Sequence, residues 1–157
     1  MISVQIRRAT RDDLSGLVEL RLEQMVEMGE PAAGRDFAGR MEDWLFGHGD
    51  AKAHWLAIAG IEVVGVLSLV DLERTPVPID KDSHLGLIDN VFVHEEFREL
   101  GIGSRLVSKA MRYARVKGYT RLIVGVDERS ATLFDRAGFD PGNELMVLSF
   151  EDYVEDF

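Results

Sequence analysis

The chain has 157 residues, 46% apolar and 29% charged, with no cysteine and a net charge of −10. That length suits one hydrophobic core and a single domain over 1–157, and the missing cysteines exclude a disulfide framework, a thiolate metal site and a cysteine nucleophile. The acidic balance argues against a nucleic-acid partner, which needs a concentrated basic face.

The opening "MISVQIRRATRDDL" has no apolar stretch behind a basic start. No apolar run reaches the ~20 residues that span a bilayer, so neither a secretory signal nor a membrane span is expected, and the location expected is cytoplasmic. "VQIRRA" (4–9) predicts a first strand. Thr10 then stands as a candidate N-cap with Asp12 and Asp13 in the first turn. Leu14, Leu17, Val18, Met25 and Met28 recur at helical spacing up to Gly29. "GRDFAGRMEDWLFG" predicts a second helix with Phe37, Met41, Trp44 and Leu45 on one face, and Trp44 and Trp55 read as core. "HWLAIAG" and "EVVGVLSLVDL" form a hairpin by pattern around Gly60.

"RTPVPIDKDS" (74–83) is the most loop-like segment. "GLIDNVFV" (86–93) is the fourth strand. After a glycine loop, Ile102, Leu106, Ala110 and Ala114 mark an amphipathic helix ending near Gly118. "RLIVGV" (121–126) reads as a central strand covered on both faces. "DERSATLFDRAG" is a short helix between Asp127 and Gly138. "LMVLSF" (145–150) is the last strand, and an acidic tail follows over 151–157. The order β-α-α-β-β-β-α-β-α-β is α/β or α+β, with a parallel strand pair across 86–126.

Charge is distributed unevenly. Residues 98–121 carry seven basic side chains and one acidic one, whereas 1–97 and 122–157 are both strongly acidic. The positive island can be the solvated face of a helix, formed by Arg105, Lys109, Arg112 and Lys117. It also begins at "RELGIG", which favours an anionic ligand. A helix N-terminus leaves about four N–H groups unpaired and carries partial positive charge. Gly101 and Gly103 keep side chains out of the way of a phosphate there. The spacing fits neither a P-loop, which needs a Lys after the second glycine, nor a dinucleotide fingerprint, whose third glycine is Leu106 here.

The remaining R-x-x-G-x-G loop, between an apolar strand and an amphipathic helix, resembles motif A of the GNAT superfamily of N-acetyltransferases. "IDNVFVHEEFRELGIGSRLV" looks like that family's strand–loop–helix. "ATLFDRAGF" (131–139) is similar to its later A-x-x-L-Y-E-x-x-G-F signature, and "IRRATRDDL" to its common opening.

The resemblance implies a mixed sheet of six or seven strands flanked by about four helices, and an N-acetyltransferase using acetyl-CoA without a metal. By resemblance, the backbone from Arg98 through Glu99, Leu100, Gly101, Ile102 and Gly103 to Ser104 would hold the pyrophosphate. Val91, Phe92 and Val93 would border the pantetheine arm, and the Val91 N–H would face the thioester carbonyl as an oxyanion donor. The acceptor would be a primary amine, either a small cationic amine or a lysine or N-terminal amine of a peptide, attacking directly in a ternary complex.

Asp89 is the first candidate for the base that takes the amine proton, the alternative being that it binds the acceptor cation or caps a loop. Asn90, on the opposite strand face, reads as a structural hydrogen-bonding residue. Phe134 stands where the family often has Tyr, so it can pack against the thiol end but cannot donate a proton; Tyr113 and Tyr119 are possible substitutes. Glu128, Glu95 and Glu99 also depart from the usual pattern. Glu23, Glu27, Glu30 and Asp36 are either a solvated face or an acidic rim for the acceptor. The four histidines lack metal-ligand spacing, and His84 with Asp82 lies just ahead of the fourth strand. A homodimer is plausible for the family. Rival readings are a non-catalytic acyl-CoA-binding module and a domain using the same loop for ATP or NAD.

Overall fold

The computed structural model describes residues 3–30, 34–78, 84–142 and 145–150. Its elements are β1 (Val4–Arg8), α1 (Leu14–Glu27), α2 (Phe37–Phe46), β2 (Lys52–Ala59), β3 (Glu62–Glu73), β4 (His84–Val93), α3 (Ile102–Lys117), β5 (Leu122–Val124) and α4 (Ala131–Arg136), with single 3-10 turns at Arg11–Asp13, Gly49–Ala51 and Glu95–Phe97. The strands lie side by side in chain order. The first three pairings are antiparallel, and β4 pairs with β5 in parallel.

Alternation along β2 explains the two layers. Ala53, Trp55 and Ala57 point to one face with Leu67 and Leu69 of β3, where they meet Ile102, Leu106, Val107 and Ala110 of α3. Leu56 points to the other face and joins Val66 and Phe92 against Leu17 and Leu20 of α1 and Leu45 of α2. Small residues let α3 lie close to the sheet: a Cβ at Gly65 would stand 3.0 Å from the Ala57 Cβ and 3.4 Å from Leu106.

Helix α1 enters through an ionic junction. The Asp13 carboxylate accepts from the Thr10 N–H (2.7 Å) and from both terminal nitrogens of Arg7 (2.7 and 2.8 Å). Helix α2 is fixed by its C-terminus, whose last carbonyls have no partner inside the helix. Lys52 Nζ donates to the Trp44 carbonyl (3.0 Å), His54 Nε2 to that of Leu45 (3.0 Å) and Arg11 to that of Phe46 (3.3 Å). Because a carbonyl only accepts, His54 carries its proton on Nε2, and its Nδ1 receives the Ser68 hydroxyl at 2.8 Å. Burial pushes this imidazole down to about 4 and keeps it neutral.

Two expectations need correcting. "LMVLSF" does not form a strand: 145–150 carry no regular structure, and Met146 is 99% exposed. The sheet therefore has five strands among the described residues, not six or seven. In consequence β5 is an edge strand, three residues long and half-buried, not the covered central strand its composition suggested. Strong β-propensity does not make a strand without a partner to pair with. The acidic tail over 151–157 and residues 79–83 of the 74–83 loop lie outside the described residues.

Candidate active site

The site is organised by one irregularity in β4. Ser68 of β3 pairs with Asn90 and Leu69 with Ile88, so Asp89 is an extra residue, a β-bulge. A bulge reverses the phase of the strand. Upstream, the Gly86 N–H points to β5, where it reaches the Arg121 carbonyl at 2.9 Å. Downstream, the His94 N–H points to β3 and bonds the Val64 carbonyl at 2.7 Å. Alternation then turns the Phe92 N–H to β3 and leaves Val91 and Val93 facing away from it. On that side β5 has already ended, because its pairing covers only Gly86, Leu87 and Ile88. Beyond Ile88 the two strands part, and the Val91 backbone lies on an unpaired sheet edge. Asp89, at the apex of the divergence, is exposed. The side-chain phase reverses as well: Ile88 packs towards α3, and Phe92 towards α1.

At the end of this edge the chain turns into α3. Among the described residues, no hydrogen-bond acceptor meets the N–H groups from Gly101 to Ser104, and Arg105 is the next to bond back, to the Gly101 carbonyl at 3.1 Å. The first of them open onto the N-terminus of a 16-residue helix, an arrangement that suits an anion. The two glycines differ in role. Gly101 has φ +79°, and a Cβ there would meet open space. Gly103 is a packing glycine, since its Cβ would come within 3.3 Å of Leu133 in α4. Glu99 also adopts the left-handed conformation, at φ +63°, a strain of roughly 1–2 kcal/mol for a residue with a side chain. A pyrophosphate fits this cradle by its free donors and by the open space over Gly101.

The Arg98 side chain is already engaged. Its Nε donates to the Val93 carbonyl (2.9 Å), Nη2 to Glu27 of α1 (2.6 Å), and the guanidinium stacks 5.3 Å from the Phe92 ring centroid. Glu27 is also approached by Arg129, at 3.5 Å, and the Arg98 guanidinium holds its carboxyl below the usual range. His94 pairs with Glu23 at 3.2 Å. Glu23 and Glu27 of the suggested acidic rim therefore serve as anchors between α1 and the motif loop.

On the face covered by α1 and α2, Lys52 is half-buried, its Nζ 4.3 Å from the Trp44 ring centroid. Desolvation lowers its pKa, and Asp89 and Asp43 oppose that shift, which places its charge within reach of the Asp89 carboxylate. Gln24 of α1 pairs with Asn90. Neither Lys52 nor Gln24 is conspicuous in the sequence; a polar residue interrupting an apolar helix face is the only signal Gln24 offers.

The other sequence candidates fall elsewhere. Phe134 is 1% exposed, set edge-on against Phe139 in the core, and has almost no surface to offer a ligand. Tyr113 and Tyr119 meet edge to face at the far end of α3 from the cradle. Burial and Asp71 push the Tyr119 hydroxyl well above the usual range, unsuited to ready proton release. His84 Nδ1 lies 2.5 Å from Asp71 in the same cluster, and Asp82 lies outside the described residues. Among the described residues, no group of three or more His, Cys, Asp or Glu is arranged to hold a metal ion, and no helix is long and apolar enough to cross a membrane.

A sequence profile of the acetyltransferase (GNAT) family matches residues 14–139, and the chain belongs to that family. The fold agrees. A predicted acetyltransferase from Clostridium acetobutylicum, solved with acetyl-CoA, superposes with a TM-score of 0.80 at 17% identity, covering 98% of this chain and 100% of that one. The aminoglycoside N-acetyltransferase AAC(6')-Iy, solved with a bisubstrate analogue, CoA-S-monomethyl-acetylneamine, gives 0.75 at 18% identity over 94% and 97%. Glucosamine-6-phosphate N-acetyltransferase from Arabidopsis thaliana gives 0.73 at 17% identity over 94% and 99%. No curated protein sequence matches the chain.

Proposed function

We propose that this protein transfers an acetyl group from acetyl-CoA to a primary amine, by direct attack in a ternary complex. The observation that carries the reading is the conjunction of an unpaired β4 edge with a set of acceptor-free N–H groups at the start of α3. The edge can pair with the amide-bearing pantetheine arm as with an added strand, and the cradle takes the pyrophosphate. The Val91 N–H faces the thioester carbonyl, and such a donor contributes roughly 3–4 kcal/mol where one has been removed from an enzyme.

An alkyl amine with pKa near 10 is only about one part in a thousand neutral at pH 7. Asp89, exposed at the point where the strands diverge, takes the proton directly or through a water. The neutral amine nitrogen then forms the new bond to the acetyl carbon, the carbon–sulfur bond breaks with CoA leaving with the electron pair, and the nitrogen gives up its second proton to the departing thiolate or to solvent. Phe134 supplies no acid, so CoA departs as the thiolate or is protonated from that nitrogen or from solvent. The net negative charge of the chain and the amine acceptors named for two of the structural relatives support a cationic amine, on a small molecule or on a peptide.

Calorimetric titration with acetyl-CoA, against CoA, ATP and NADH, tests the cofactor. Gly101→Asp places a carboxylate in the open space over the cradle, and Gly101→Asn matches its conformational cost without the charge. Acetyl-CoA binding that is lost in the Asp variant and kept in the Asn variant supports the reading. A preference for ATP or NADH overturns it. Binding without turnover on an amine panel leaves a non-catalytic acyl-CoA module.

A further inference from the structure

The phase reversal at Asp89 puts the Val91 N–H on the open edge, so whatever holds the bulge in register also holds that donor. A bulge leaves one residue outside the ladder, and backbone pairing alone does not decide which one. Asn90, the residue just after the bulge, is fixed from outside the sheet. Its Oδ1 accepts from Gln24 Nε2 at 2.8 Å, and its Nδ2 donates to Gln24 Oε1 at 3.2 Å. Gln24 is 8% exposed, and Arg21 Nη1 donates to its Oε1 at 2.8 Å, which fixes the orientation of the amide. Two amides closed on each other in a part-buried setting cannot slide by one residue without stranding donors and acceptors.

We propose that Gln24 and Asn90 are positioning residues for acetyl transfer. Their amide pair locks the β4 bulge to α1, so that Asp89 and the Val91 N–H face the same thioester. The inference rests on the acetyltransferase reading above. Slippage of one residue would turn the Val91 N–H into the β3 ladder and carry Asp89 off the apex. The cradle begins eight residues further on and has its own anchors in Arg98 and Glu27, so cofactor affinity should be insensitive to the pair.

The test uses Gln24→Leu, Asn90→Ala and the exchanged double variant Gln24→Asn/Asn90→Gln, which restores two facing amides of the same combined length. The expected result is a kcat lower by tenfold or more in each single variant, an acetyl-CoA Kd within about threefold of wild type, and recovery of most of kcat in the exchanged pair. Unchanged kcat in the single variants overturns the proposal. So does a kcat loss that merely tracks falling melting temperature and cofactor affinity, the mark of a structural tie, or an exchanged pair no better than the singles. Wild-type protein that fails to bind acetyl-CoA or to acetylate any amine removes the underlying reading and this inference with it, a failure visible before any variant is made.

Discussion

Arg98 joins two elements at once: its Nη2 donates to Glu27 at 2.6 Å, and its Nε to the Val93 carbonyl at 2.9 Å. The arginine of the phosphate-loop motif thus works as a strap that closes the end of the open β4 edge and draws α1 over it. Its side chains are 35% and 24% exposed, so the bond is screened and contributes about 1 kcal/mol. Glu27→Gln should lower the melting temperature by roughly 2–4 °C and weaken acetyl-CoA only a few-fold, as read by calorimetry. A hundredfold loss of affinity in Arg98→Ala, with melting unchanged, would show that the guanidinium binds phosphate directly. Because Arg98 holds the Glu27 carboxyl below its ordinary value, the contribution is present above the unfolded pKa and is lost as pH falls through the folded one.

Glu99 offers a gain-of-function test. Its left-handed backbone is strained, and its carboxylate lies beside the proposed pyrophosphate site. Glu99→Gly should stabilise the protein by a net of about 0.5–1 kcal/mol, since glycine's larger unfolded-state entropy offsets part of the relief. Removing one negative charge close to the phosphates should tighten acetyl-CoA by roughly 1 kcal/mol, about fivefold in Kd. Thermal melts and titration of the same variant separate the two effects.

Asp89→Asn keeps the size and removes the proton acceptor. The expected outcome is a kcat lower by about 10²–10⁴ with acetyl-CoA affinity nearly unchanged. Lys52→Met removes a half-buried cation together with its bond to the Trp44 carbonyl at the end of α2, and should lower stability. Steady-state kinetics on the best amine of the panel, alongside melts, distinguishes these variants.

Acid stability should fall in two stages. His54 titrates near 6.5 when unfolded and about 4 when folded. The folded value is depressed, so its contribution is complete above 6.5 and is lost as pH falls to about 4. That gap corresponds to about 3 kcal/mol. Asp13, held down to about 2 by Arg7, gives way only below its unfolded value of 3.8. Urea midpoints between pH 7 and 4 should therefore decline in wild type, and far less in His54→Gln, which retains a donor for the Leu45 carbonyl.

Local pattern carried much of the molecule. The spacing of Ile102, Leu106, Ala110 and Ala114 defined α3, and Gly118, at φ +80°, ended it where expected. Of the two glycines of "RELGIG", Gly101 is restricted by its left-handed backbone and Gly103 by the close approach of Leu133, two local demands that a sequence records at single positions. Strand count was less legible: "LMVLSF" and "RLIVGV" have the composition of covered strands, but coverage depends on what packs against them.

What the sequence by itself determined is therefore most of the elements, the last strand excepted, and the family, both written in short-range spacing. Tertiary structure alone decided that Asp89 is an unpaired bulge, since a bulge exists only relative to the register of β3. It also decided that Gln24 meets Asn90, 66 positions apart, and that Arg98 faces Glu27 and not the cradle. Hydrogen bonds between residues so distant in the chain leave no periodicity to read. They arise from the crossing of α1 over the sheet, which is settled only when both faces of that sheet are buried.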